Sequence, residues 1–168
     1  MAKFDLIGLG NALVDSEFHV TDSFLKKKGF EKGTMHLVDS DEQTNLLNSL
    51  EKEYGKPSLA CGGSATNTIF AASILGSSSS YICKVGNDKN GNFYLDDLSD
   101  AGVNIDHSVM LDSNINSGTC TVMVSPDAER TMSTCLGISS DLSATDVADE
   151  IFNDCLLYTS DAADEKYR

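Results

Sequence analysis

Short apolar runs that stop at glycine alternate in this chain with longer stretches of helical period, and this alternation limits the fold more than any other feature. Asp5 to Gly10 (DLIGLG) is an apolar run closed by glycine, which suits a buried central strand. Val14 to Val20 (VDSEFHV) and Gly33 to Val38 (GTMHLV) read as half-exposed strands, with a short helix over Asp22 to Gly29 between them. Ser40 to Tyr54 has a serine start, early acids, and Leu46, Leu47 and Leu50 at helical spacing. Ser64 opens a second, less polar helix that Gly76 stops, and Ser77 to Ser80 reads as a loop. Tyr81 to Val85 follows as a strand and Asn90 to Ala101 as another amphipathic helix. The texture then changes. Gly118 to Val124 and Arg130 to Leu136 form a predicted hairpin through a turn containing Pro126 and Asp127, and Ser143 caps a predicted helix over DVADEIFND. The pattern implies an α/β core with a mostly parallel sheet, helices on both faces, and a small accessory β sheet as a lid.

With 168 residues, 40% hydrophobic and 23% charged, the chain has the composition of one ordinary globular domain. Its 26 acidic and 12 basic residues leave a net charge of −14, which repels nucleic acid and anionic membranes and argues against either as a partner. No apolar run approaches the roughly 18 residues of a membrane span, and MAKFDLIGLGNALVD lacks a secretory cleavage pattern, so a cytoplasmic location is expected. Five cysteines without a CxxC pair point to reduced, mostly buried thiols and to no metal site.

Two nucleotide-binding signatures fail. The third glycine of a GxGxxG turn begun at Gly8 would fall on Leu13, and the segment after it reads as a strand. Gly55-Lys56 is followed by Pro57 and lacks the earlier glycine of a Walker A loop. What remains is a pair of polar clusters at the carboxyl ends of predicted strands, where open α/β sheets place their ligands. One is Asn11 with Asp15; the other is Gly62, Gly63, Ser64 and Asn67. A carboxylate at Asp15 can accept hydrogen bonds from two neighbouring hydroxyls of a sugar ring, each charge-assisted bond contributing about 1.5–3 kcal/mol. The paired glycines let backbone and ligand approach closely, while Asn67, one turn into the helix, can donate and accept. From the residues alone this is a polar small-molecule site in an α/β domain.

At these positions the chain resembles the ribokinase or PfkB family of carbohydrate and nucleoside kinases, most closely its adenosine kinase-like branch. GLGNALVD is similar to the first-strand motif of that branch, with Asn11 and Asp15 four residues apart. CGGSATN before an apolar helix resembles the glycine signature, KVGNDKNGNFYLDDLSDAGVN the segment after it, and SGTCTVMVSPDAERTMSTCLGIS the hairpin near the lid. Ile69 departs from the small residue that many members carry there. The resemblance covers nearly all of residues 4–154. It implies a ribokinase-like three-layer αβα core with a β lid, and transfer of the γ-phosphate of ATP, with Mg²⁺, to a primary hydroxyl of a nucleoside or sugar. By the same resemblance Asp15 would hold the ribose hydroxyls, Gly63 and Asn67 would complete the cradle, Asn11, Leu13 and Ser64 would line the pocket, and Arg130 would sit near lid and substrate. A homodimer through the lid is a further expectation.

The family places its catalytic base in a late GAGD-type motif, and no such motif occurs in this sequence. Cys155 to Glu165 (CLLYTSDAADE) matches the translation of a transposase sequencing adapter, so residues 1–154 are expected to be the amino-terminal part of a kinase domain and 155–168 an artefact, with the carboxyl-terminal half missing. Such a fragment is expected to lack catalysis and to leave an unpaired, aggregation-prone sheet edge. Two alternatives stay open: a sugar kinase of the fructokinase or ribokinase type, and a non-catalytic module that binds sugars or nucleosides.

Overall fold

A computed structural model describes residues 3–160 apart from His107 and Ser113. In chain order the elements are β1 (Phe4–Leu9), β2 (Leu13–His19), α1 (Asp22–Lys28), β3 (Met35–Leu37), α2 (Ser40–Tyr54), β4 (Ser58–Gly62), α3 (Ser64–Ile74), β5 (Ser79–Ile82), β6 (Lys84–Gly86), α4 (Lys89–Asp100), β7 (Val109–Leu111), β8 (Gly118–Val124), β9 (Arg130–Cys135) and β10 (Cys155–Ser160). Three short 3₁₀ turns, Gly137–Asp141, Ala144–Asp146 and Asp149–Asp154, lie between β9 and β10. No helix among the described residues is long and apolar enough to cross a membrane.

The strands divide into two main sheets. The core sheet has the order β10-β1-β5 with every pairing parallel, and β6 and β7 form a short parallel pair beside it. Helix α3 lies on β1 and β5, so Ile69, Tyr81, Tyr94 and Leu98 share one buried cluster. Ile69 and Gly8 explain each other. A Cβ at Gly8 would press into the Ile69 side chain, so the glycine of the first strand makes room for the large residue on α3. The opposite face of the core sheet, Phe4, Ile7 and Ile82, packs on Ile151, Leu142 and Val147 from the 3₁₀ region.

The second sheet has the order β3-β9-β8-β2-β4 and holds the predicted hairpin as its antiparallel β8–β9 pair. Its inner face is covered by α1 and α2, with Phe18, Phe24, Leu46, Leu50 and Met123 buried together. Gln43 is 3% exposed on this face and bonds almost entirely to the sheet. Its Nε2 donates to Thr121 Oγ1 and to the Ser133 carbonyl at 3.1 Å each, while Ser133 Oγ donates to Gln43 Oε1 at 3.0 Å. Asp39 rather than Ser40 caps α2, in a reciprocal box with Glu42.

Three expectations are corrected. The helix predicted from Ser143 is a set of 3₁₀ turns; Ser143 does sit in a capping box with Asp146, but Asp146 is drawn to Lys84 Nζ at 2.8 Å instead of leading a longer helix. Lys84 is buried on β6, also donates to the Asp141 carbonyl at 2.8 Å, and so fastens this segment to the sheet. Ser79 and Ser80 belong to β5, because their buried backbone pairs with β1 and Ser80 Oγ donates to the Asn104 carbonyl at 3.0 Å. The strand predicted over Tyr81 to Val85 is divided at Cys83 into β5 and β6. Of the tail expected to be foreign, Cys155–Ser160 pairs with β1 as a strand, and residues 161–168 lie outside the described residues.

Replacing Gln43 by leucine should leave the Thr121 and Ser133 hydroxyls without this partner in the interior. The expected loss is about 1–3 kcal/mol of unfolding free energy, read as a lower urea midpoint.

Candidate functional site

Strand β2 carries the site because it lies between two different neighbours. It pairs antiparallel with β4, setting Asp15 opposite Ala60 and Glu17 opposite Ser58. It pairs parallel with β8, setting Asp15 beside Cys120 and Glu17 beside Val122. Side chains alternate across a strand, so Asp15 and Glu17 project to the face away from Val14 and Phe18, which are buried in the two cores. On that outer face Asp15, Glu17, Ser58, Ala60, Cys61, Asn67, Val122 and Arg130 line a groove of about 440 Å³.

A glycine turn closes one end of the groove. Gly62 ends β4 directly against the Asp15 carboxylate, with no room for a Cβ between them. Gly63 follows with φ +106°, a conformation open to glycine, and its carbonyl accepts from the Asn67 N–H at 3.0 Å as α3 begins. The turn is anchored from below by Tyr94, a fully buried residue of α4. Its hydroxyl lies 2.6 Å from Thr66 Oγ1 and donates to the Gly62 carbonyl at 3.2 Å.

Burial pushes the Asp15 carboxyl up from 3.8 to about 6; Arg130 opposes the rise and the neighbouring Glu17 adds to it. The group is thus a carboxylate at neutral pH that the fold holds at some cost. Burial also raises the thiols of Cys61 and Cys83, the latter to about 12, so both stay protonated. All five cysteines are free, two buried and three half-buried.

The groove brings together Asp15, Asn67 and Arg130 of the residues expected from sequence. Gly62 and Gly63 form its end wall through the close approaches described above, whereas Asn11, Leu13 and Ser64 are outside its lining. Asn11 is buried behind the turn, where its carbonyl faces Gly63, and Leu13 packs toward Gly118. Sequence reasoning missed Glu17, Ser58, Ala60, Cys61 and Val122. The signal for Glu17 was present, since a residue two places from Asp15 on a strand must share its face. The others required the register of β4 and β8. A larger cavity of about 600 Å³ lies on the inner side, near Ser40, Gln43, Asp88 and Thr119. Its carboxylate, Asp88, is engaged by the backbone N–H groups of Gly91 and Ser117 at 2.8 and 2.7 Å.

Comparison with known proteins agrees with this architecture. Residues 34–165 match the family model described as pfkB family carbohydrate kinase. The chain belongs to the pfkB family. Adenosine kinase 2 of Arabidopsis thaliana is 30% identical over 122 residues, covering 71% of this chain and 34% of that protein. The solved adenosine kinase from Sinorhizobium meliloti superposes with a TM-score of 0.84 at 33% identity, covering 95% of this chain and 47% of that one. A probable sugar kinase from Rhizobium etli CFN 42 gives 0.84 at 30% identity with the same coverages. This pfkB-family chain therefore has the ribokinase-like α/β fold and spans about half the length of those two structures, and about a third of the Arabidopsis protein.

Two outcomes follow from the site of this pfkB-family chain. Because Asp15 titrates near 6 when folded and near 3.8 otherwise, the native state holds the extra proton between those values, and stability falls as pH rises through that window. Asp15→Asn should accordingly raise the urea midpoint at neutral pH, with the gain vanishing below pH 3.8, the ordinary value of the group. Gly62→Ala should lower stability by about 1–3 kcal/mol in the same assay, since the new methyl displaces the Asp15 carboxylate.

Proposed function

We propose that this chain is the acceptor-binding half of a kinase that transfers the γ-phosphate of ATP to a primary hydroxyl of a nucleoside, with an adenosine-like substrate preferred over a free sugar. The observation that carries the reading is the half-buried Asp15 carboxylate set against the Gly62-Gly63 turn in a groove shared with Asn67 and Arg130. Two acceptor oxygens there match two neighbouring hydroxyls of a ribose, and the glycines allow the ring to lie against the main chain. Asn67 would donate or accept at the ring edge, and Arg130, on the hairpin, would close over the bound acceptor. Family membership and the adenosine kinase relatives support the nucleoside reading. The likeness to the probable sugar kinase keeps a fructose- or ribose-type acceptor as the second reading.

ATP and Mg²⁺ belong to this proposal for the longer protein. Among the described residues no three His, Cys, Asp or Glu side chains gather as a metal-holding group, so no residue of this chain is assigned to the nucleotide and its metal. Nor does the sequence contain the GAGD-type motif that the family uses as base and anion hole. The loss of a general base alone is worth about 10²- to 10⁴-fold, and loss of the anion-stabilising amides adds comparable factors. We assign residues 1–154 to the kinase and 155–168 to translated adapter; the uninterrupted gene, read across Asp154, tests that assignment.

The 168-residue chain should bind adenosine in ligand-observed NMR and transfer no phosphate from ATP. Binding should weaken as pH falls through about 6, where Asp15 loses the charge that accepts both hydroxyl bonds. Asp15→Asn should weaken it at least about tenfold at neutral pH. Phosphorylation of adenosine by the purified chain, or affinity indifferent to Asp15→Asn, contradicts the proposal.

A further inference from the structure

Within the groove, Glu17 has no part in the reading just given. It is neighbour to Asp15 on the same face of β2, about 7 Å further along the strand by the ordinary rise per residue. Its side chain is 45% exposed, so its position is not explained by core packing. Opposite it stand Ser58 on β4 and Val122 on β8, neither of which carries charge. The lining therefore holds two carboxylates and a single guanidinium, Arg130, whose field already acts on Asp15. His19, with Nε2 3.7 Å from Glu17, offsets the carboxylate only when protonated.

We infer that Glu17 is a specificity-determining residue: it turns away acceptors that carry a phosphate group next to the hydroxyls held by Asp15 and so restricts the groove to uncharged nucleosides or sugars. The inference rests on the proposed acceptor site and adds the class of acceptor to it. A phosphate ester on a hydroxyl held by Asp15 would enter a lining in which Glu17 is the next carboxylate along β2. A phosphate there meets a second negative charge in a half-enclosed groove whose lining carries a single guanidinium, Arg130. Repulsive elements of this kind set specificity by weakening the wrong partner more than by strengthening the right one.

The test compares adenosine with adenosine 3′-monophosphate on the 168-residue chain at one fixed pH of about 8. The measured quantity is the ratio of the two affinities, by ligand-observed NMR competition. Because the ester also removes one hydroxyl, wild type alone is not decisive; the change in the ratio on substitution is. Glu17→Gln should narrow the ratio by about three- to tenfold and Glu17→Lys by more, and added salt should narrow it more in wild type than in Glu17→Gln. Ratios that neither substitution moves would overturn the inference and leave the proposed function standing. Failure of adenosine itself to bind overturns both. Glu17 is outside the buried cores, so the two substitutions act on charge without removing packing.

Discussion

The buried hydroxyl of Tyr94 is the interaction on which the arrangement of this molecule most depends. It reaches Thr66 on α3 and the Gly62 carbonyl at the end of β4 while its own helix, α4, is held in the apolar cluster with Leu98 and Val103. One side chain thus fixes the angle between two helices and the strand that precedes one of them. The left-handed step at Gly63 can then be taken in a single residue, and Gly62 comes to rest against Asp15. Loosen that anchor and the strand register of β4 against β2 is no longer tied to the helical layer.

Asp15 shows the cost of such a position. Burial holds its carboxyl well above its ordinary range, with Glu17 adding to the strain and Arg130 relieving part of it. A neutral residue there would suit folding better at neutral pH, and a charged one suits the recognition of hydroxyls better. Strain of this sort is expected where a group is kept for binding rather than for stability. The Gln43 network illustrates the other case. Its polar atoms are paired with the sheet behind the groove, and they hold α2 against β8 and β9.

Much of the fold was legible because the informative residues act locally. The apolar period of Ser40–Tyr54, the glycine stops, and the Pro126 turn each specify an element through neighbours in sequence, and these elements form where expected. The errors have non-local causes. Ser77–Ser80 looks like a loop by composition, yet two of its hydroxyl-bearing residues are buried by pairing with β1 and Asn104. DVADEIFND has a helix-like start, but a lysine some sixty residues earlier, Lys84, captures its capping carboxylate. At the site, Asp15 and the glycine turn were visible as an unusual charge and an unusual pair. The place of Leu13, against Gly118 and outside the groove lining, required the β2–β8 register.

The edge strand β10 has a consequence of its own. Its register with β1, from Phe4 opposite Cys155 to Leu9 opposite Ser160, is made by main-chain hydrogen bonds, while Leu156, Leu157 and Tyr158 remain about two-thirds exposed. The cover of that side of the core is supplied earlier, by Leu142, Val147 and Ile151, and is clamped independently by Lys84. The place beside β1 is consequently held chiefly by main-chain pairing, with Cys155 as the strand's packing contact to the apolar cluster.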